Sequence, residues 1–311
     1  MNTDFYPLRV RQVRADTDDA VVVTFDLPGT LADTFRFSAG QYLTLRRHVD
    51  GADLRRSYSI CSGVDDNALS VAVRKVPGGA FSNWVNDTLR VGDEIDVMPP
   101  QGTFHVIASE SADDRGRGRE FLFIAAGSGI TPILSIMKTV LAREPHCHCT
   151  LIYGNRMQST TMFKEELEDL KNLYMTRVVL HHVFSREQTD APLSGGRLDR
   201  EKIGTLVQTL VGVDTLDHAF ICGPHAMNDE AQIALLDAGF AAERIHVERF
   251  GLLPPVASAS ARAARVDVPP VARVTIVRDG MHREIGLNKD DPSILEAAAG
   301  AGLDMPYSCK S

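Results

Sequence analysis

The sequence predicts a multidomain chain: an antiparallel β-barrel over residues 5–106, an α/β domain on a parallel sheet over 118–250, a linker at 251–270 and a short third segment at 271–311. Three observations carry this. Short alternating apolar runs divided by turn dipeptides fill the first stretch. Apolar strands then alternate with helical patterns, as a parallel sheet requires. Residues 251–270 are rich in Pro, Ala and Ser, the composition of an extended linker.

In the barrel stretch the strand runs are 21–25, 42–45, 69–73 and 94–97. Pro28-Gly29, Ala39-Gly40, Pro77-Gly78-Gly79 and Val91-Gly92-Asp93 punctuate them. In the α/β stretch, 121–126 is apolar without interruption, as a strand buried on both faces should be. Ile133, Ile136, Met137, Val140 and Leu141 then fall on one helical face. Further strands are read at 151–153, 178–184 and 219–221, with helices at 162–172, 199–210 and 225–238. In the third segment, 271–287 reads as a hairpin about Asp279-Gly280. Asp291 and Pro292 read as the cap and first residue of a helix over 293–299.

Composition excludes several function classes. Net charge is -8, whereas a nucleic-acid partner calls for clustered Lys and Arg. No apolar stretch follows a basic start, so no secretory leader is expected. No run reaches the roughly 18 apolar residues that cross a bilayer, so no membrane partner is expected. The five cysteines are scattered and odd in number, which argues against a disulfide framework and for a reducing cytoplasm. His146-Cys147-His148-Cys149 reads as a helix–strand loop rather than a metal centre. Adjacent side chains of a strand point to opposite sides, and zinc ligands are usually spaced by two residues or more.

Gly127-Ser128-Gly129-Ile130-Thr131-Pro132 follows a buried strand and opens a helix. Glycines admit a ligand close to the backbone, and the free amides of a helix start favour a pyrophosphate. Thr131 is expected as the N-cap and Pro132 as the first helical residue. In the barrel, Arg56-Ser57-Tyr58-Ser59 combines a fork for phosphate, a flat ring for stacking and hydroxyls for a ring nitrogen. Gly79 and Ser82 precede an amphipathic stretch with Trp84, Val85 and Leu89, a second helix start suited to a phosphate.

Together with Gly92-Asp93, Pro99-x-x-Gly102-x-Phe104, Tyr153-Gly154-Asn155-Arg156 and Cys222-Gly223-Pro224, these motifs occur in the order seen in the ferredoxin–NADP reductase superfamily, which the chain resembles over residues 5–250. The resemblance implies FAD on the barrel and a nicotinamide nucleotide on the α/β domain. Arg56, Ser57, Val73, Gly79 and Ser82 would line the flavin site, Tyr58 would stack on the flavin ring, and Ser59 would approach its N5. Gly127, Gly129, Thr131 and Pro132 would hold the nicotinamide cofactor's pyrophosphate, with Asn155 and Arg156 at the next strand end. Cys222, Gly223 and Pro224 would lie near the nicotinamide, with Glu248 and Phe250 beside the flavin. Ser59, Cys222 and Glu248 are the implied catalytic residues. Ser185-Arg186 resembles the pair that binds the 2′-phosphate in NADP-using relatives, which favours NADPH over NADH; an acidic residue there would favour NAD.

Residues 271–311 resemble the first half of a plant-type [2Fe–2S] ferredoxin, a partial β-grasp fold, with Cys309 as its first cluster ligand. The plant-type loop runs C-x₄-C-x₂-C. Only two residues follow Cys309, so at most one of four ligands is in the chain as given. The order flavin, nicotinamide, ferredoxin resembles reductase components of bacterial oxygenases, implying an oxygenase or another one-electron acceptor as partner. Two rival readings stay open: a stand-alone flavin reductase, and a flavoprotein without catalytic activity.

Overall fold

Strands β1 (Tyr6–Thr17), β2 (Ala20–Asp26), β3 (Tyr42–Val49), β4 (Ala52–Ser59), β5 (Leu69–Arg74) and β6 (Glu94–Gln101) pair antiparallel in the order β4-β3-β6-β1-β2-β5. Just past β4, Ile60 bridges to Val71 and the Cys61 amide donates to Ser70 O at 2.9 Å, which curls the two sheet edges together. The computed structural model from which these elements are read describes residues 4–49, 52–106, 117–189, 191–250, 272–278, 281–287 and Ile294. Leu8, Val23, Leu43, Leu45, Val71, Val73 and Val97 fill the barrel, and helix α1 (Ala80–Asp87) adds Phe81 and Val85.

The α/β layer runs β7 (Glu120–Ala126), α2 (Ile130–Arg143), β8 (His148–Asn155), α3 (Lys164–Leu173), β9 (Val178–Phe184), α4 (Arg200–Leu210), β10 (His218–Gly223), α5 (His225–Asp237) and β11 (Ile245–Arg249). All five strands are parallel, in the order β11-β10-β7-β8-β9. The chain moves outward one way from β7 to β9, then returns to lay β10 and β11 on the other side. The carboxyl ends of β7 and β10 therefore form a switch point, where open parallel sheets bind ligands.

Helix α2 shows a difference from the periodicity. Beyond the expected face, Leu134 and Ser135 are also fully buried. The helix is packed on two sides: Phe121, Phe123 and Leu151 of the sheet and Ala20, Val22, Ala39, Cys61, Ala72 and Phe104 of the barrel share one core cluster with it. Ser135 Oγ donates to Ser62 O at 2.7 Å, and Lys138 pairs with Asp66 at 2.7 Å and Glu166 at 2.6 Å.

Residues 251–311 form a separate unit. Its described part is an antiparallel hairpin, β12 (Ala272–Arg278) on β13 (Met281–Leu287), with Arg278 opposite Met281. The linker, the Asp279-Gly280 turn, Cys309 and all of the expected 293–299 helix except Ile294 lie outside the described residues.

Candidate functional site

On the barrel, Tyr58 and Arg56 lie on β4 opposite Leu43 and Leu45. Tyr58 is half-buried, its ring 6.0 Å from Phe81 of α1. Ser57 Oγ lies 3.1 Å from Thr44 Oγ1, and Ser59 is buried. Neighbouring Arg46 and Arg55 pair with Asp96 and Asp53. Half-buried Arg56 differs: its Nη1 donates to Arg55 O at 2.7 Å, and among the described residues it has no carboxylate partner. That leaves a positive fork suited to an anionic group.

The Gly79 turn is tight. A Cβ on Gly79 would stand 2.7 Å from Ser82 Oγ and 3.1 Å from Val76 O. The Ser82 hydroxyl accepts from the Val76 amide at 3.0 Å, so it closes the turn onto the start of α1. The Val73 side chain is fully buried in the barrel core, and its carbonyl accepts from Asn86 Nδ2 at 3.1 Å. Only its backbone borders the turn.

At the switch point, Gly127–Gly129 form a 3-10 turn that runs straight into α2, with Gly129 in the cap position. This corrects the expected N-cap. Thr131 is already inside the helix, and its hydroxyl donates to Ser128 O at 3.0 Å instead of accepting an amide; Pro132 is the third helical residue, not the first. The glycines do different jobs. A Cβ on Gly129 would lie 2.0 Å from Cys222 O, so no side chain fits between the turn and β10. Gly127 has φ +54, and a Cβ there would find only Arg74 Nη1 within 4 Å, at 3.9 Å. Its face is open enough to cradle a phosphate.

Cys222 and Glu248 stand opposite each other on β10 and β11. Burial pushes the Cys222 thiol well above its ordinary value, with the Glu248 charge adding to it, so the thiol stays protonated at neutral pH. Burial also raises the Glu248 carboxyl. Phe250 packs partly buried on the shared core, and Pro224 is exposed at the start of α5. His225 follows it with both ring nitrogens buried and unpartnered.

The ends of β8 and β9 are zipped together: Ser185 N donates to Asn155 O and Arg186 N to Arg156 O, each at 2.9 Å. The backbones of two exposed arginines thus sit side by side, and neither has a carboxylate partner among the described residues. Asn155 Nδ2 is buried without a partner beside them. The buried amide and the two exposed arginine side chains put hydrogen-bond donors at one edge of the sheet.

Sequence reading missed Arg74 and His225. Arg74 ends β5, donates from Nε to Asp19 Oδ2 at 2.8 Å, and reaches the Gly127 turn. Cys147 and Cys149 are buried in the shared core. Among the described residues no group of three His, Cys, Asp or Glu side chains suits a metal, and no helix is long and apolar enough to cross a membrane.

The fold and these two turns define a two-domain oxidoreductase, and comparison with known proteins agrees. The oxidoreductase FAD-binding domain matches residues 7–106 and the oxidoreductase NAD-binding domain matches 123–232. The chain belongs to the family of FAD- and NAD-binding, ferredoxin reductase-type oxidoreductases that includes reductase components of oxygenase systems. It is 44% identical to a subunit of the 1,2-phenylacetyl-CoA epoxidase of Escherichia coli (strain K12), over 99% of this chain and 84% of that protein. It is 33% identical to the ferredoxin reductase component of 3-ketosteroid-9-alpha-monooxygenase from Mycolicibacterium smegmatis, over 97% of this chain and 82% of that one. Among solved structures it is similar to phthalate dioxygenase reductase (TM-score 0.65, 25% identity, 98% of this chain and 83% of that one). It is also similar to the Amycolatopsis cytochrome P450 reductase GcoB (TM-score 0.67, 29% identity, 79% of this chain and 70% of that one).

Proposed function

We propose that this chain is the electron-entry reductase of an oxygenase system of the phenylacetyl-CoA epoxidase type, in aromatic degradation. Residues 5–106 hold FAD and 118–250 hold NADPH. The 251–270 linker leads to the first part of a [2Fe–2S] ferredoxin-like segment at 271–311, in which Cys309 would be the first of four cluster ligands; these residues supply no more than that one, so the cluster belongs to the full-length protein. Bound together, the two cofactors supply hydride transfer from nicotinamide to flavin, and the flavin then passes electrons on singly.

The observation that carries the reading is the reach of Arg74. Its guanidinium meets the Gly127 turn, and five residues later the same strand end enters the Gly79–Ser82 turn. One stretch of chain therefore carries both a cation that borders the Gly127 turn and the Gly79–Ser82 turn, which suits a flavin and a nicotinamide nucleotide held on neighbouring layers. Arg56 and the α1 start hold the flavin phosphates, and Tyr58 stacks on its ring. Gly127, Gly129, Thr131 and Pro132 hold the nicotinamide pyrophosphate, with Arg74 as an added cation. Ser185, Arg186, Asn155 and Arg156 select the 2′-phosphate.

Ser59, the protonated Cys222 thiol and Glu248 flank the reacting rings, orienting them and excluding water. Hydride transfer calls for no general base, so a thiol kept neutral by burial and a carboxyl shifted toward its neutral form suit the site. Anaerobic mixing of the flavin-loaded protein with NADPH tests this. Rapid bleaching of the flavin colour, faster than with NADH, is expected; a flavin left oxidised by both nucleotides would refute it.

A further inference from the structure

The end of β1 meets the α/β layer at two points: Arg14 pairs with Glu166 of α3 at 3.5 Å and lies 3.9 Å from Asp16, and Asp16 itself bonds to the loop before α3. Asp16, its side chain 5% exposed, accepts from the Phe163 amide at 3.0 Å and 3.2 Å on its two oxygens. Phe163 is itself buried and has φ 55, left-handed backbone that a bulky residue adopts only when its surroundings impose it. The Tyr153 hydroxyl donates to Gly127 O at 2.9 Å and, as the longer branch of the same shared bond, to the preceding carbonyl, Met162 O, at 3.4 Å. Tyr153 is fully buried at the end of β8.

These contacts form one line: barrel carboxylate, left-handed amide, tyrosine hydroxyl, glycine turn. We infer that Asp16, Phe163 and Tyr153 are positioning residues through which the barrel sets the Gly127 turn, and so the affinity of the turn for the nicotinamide nucleotide. The inference rests on the proposed pyrophosphate role of that turn.

Two features favour this over a purely structural role. A buried carboxylate and a buried hydroxyl are costly unless their hydrogen bonds are used; Asp16 accepts from the Phe163 amide, and Tyr153 donates to the turn and to the carbonyl just before that amide. The seam between barrel and α/β layer has other ties. Lys138 joins Asp66 and Glu166, Ser135 donates to Ser62, and the shared apolar core spans both. Removing Asp16 therefore leaves the two layers joined while freeing the loop before α3.

The test uses the flavin-loaded chain, with NADP⁺ affinity read from the flavin difference spectrum and NADPH turnover read as KM and kcat. Tyr153→Phe and Asp16→Ala should each weaken NADP⁺ by about tenfold, one buried hydrogen bond's worth, with KM rising more than kcat falls. Because the two act in series, the double variant should also lose about tenfold rather than about a hundredfold. Asp16→Asn, which keeps an accepting oxygen, should regain most of the loss.

A Kd within about twofold of the parent for Tyr153→Phe, or single effects that multiply, would overturn the brace. Should Asp16→Ala fail to fold, the near-isosteric Tyr153→Phe decides alone. If the parent protein neither binds NADP⁺ nor bleaches with NADPH or NADH, the reductase reading itself falls. Normal parent binding with unaffected variants sinks only the brace.

Discussion

Arg186→Glu is the sharpest probe of nucleotide choice. Arg186 lies at the end of β9, its backbone bonded to that of Arg156 at 2.9 Å. A hydrogen bond to a charged group contributes about 1.5–3 kcal/mol. Both arginines are exposed, which would put the proposed contact between Arg186 and a 2′-phosphate near the lower figure. Reversing the charge adds repulsion of about 1 kcal/mol per unit charge at 4 Å in water. The sum, roughly 2–3 kcal/mol, lowers kcat/KM for NADPH by about 30- to 150-fold. NADH lacks the 2′-phosphate, so its kcat/KM should stay within about threefold. Stopped-flow reduction of the flavin by each nucleotide at low salt measures both, and added salt should shrink the difference by screening. An unchanged NADPH-to-NADH ratio, or equal losses with both, would show that the 2′-phosphate is read elsewhere.

Three further outcomes are expected. Arg56→Ala should weaken flavin retention by about ten- to a hundredfold while far-ultraviolet circular dichroism stays constant; the flavin-to-protein ratio after gel filtration reports it. Gly129→Ala forces a Cβ to within 2.0 Å of Cys222 O, a clash between two backbones, so urea unfolding should reveal a loss of about 1–3 kcal/mol and nucleotide affinity should fall with it. His218 is pushed down to about 4 by burial first, then by His246, whose own value is lowered by burial and by His105; Arg119 and Arg244 push His218 the same way and Asp217 opposes them. Because the unfolded chain takes up these protons near pH 6.5 and the folded one does not, stability should fall as pH drops from about 6.5 toward 4 and then level off. Partial solvent access reduces the loss to about 1–2 kcal/mol, measured by urea midpoints across that range and reduced in His218→Asn.

Much of the fold is legible in the sequence because buried strands carry unbroken apolar runs. Strand β7 shows it, with Phe121 to Ala125 all buried; the bounds 178–184 also match β9, although only Val178 and Val183 are buried there. Strand β1 does not. Only Leu8 and Val10 are buried among its twelve residues, and irregularities at Val10/Gln12 and Ala15/Thr17 break its alternation. The glycine turns are visible as motifs, yet Thr131 is no cap because a 3-10 turn consumes the residues where a cap would stand. Arg74, Asp16 and Tyr153 give no local signal of the contacts they make. Their roles arise across the chain, as between Asp16 and Phe163, 147 residues apart. No spacing rule reaches that far.

The core shared by α2, the sheet and the barrel has an evolutionary corollary. Ala20, Val22, Ala72 and Phe104 turn an apolar outer face of the barrel toward that helix, so a barrel expressed alone would expose it and aggregate. Recombination that cut between residues 106 and 118 would strand two sticky halves. Residues 5–250 therefore behave as one unit of inheritance, since a cut inside them would expose the apolar face that each half covers on the other.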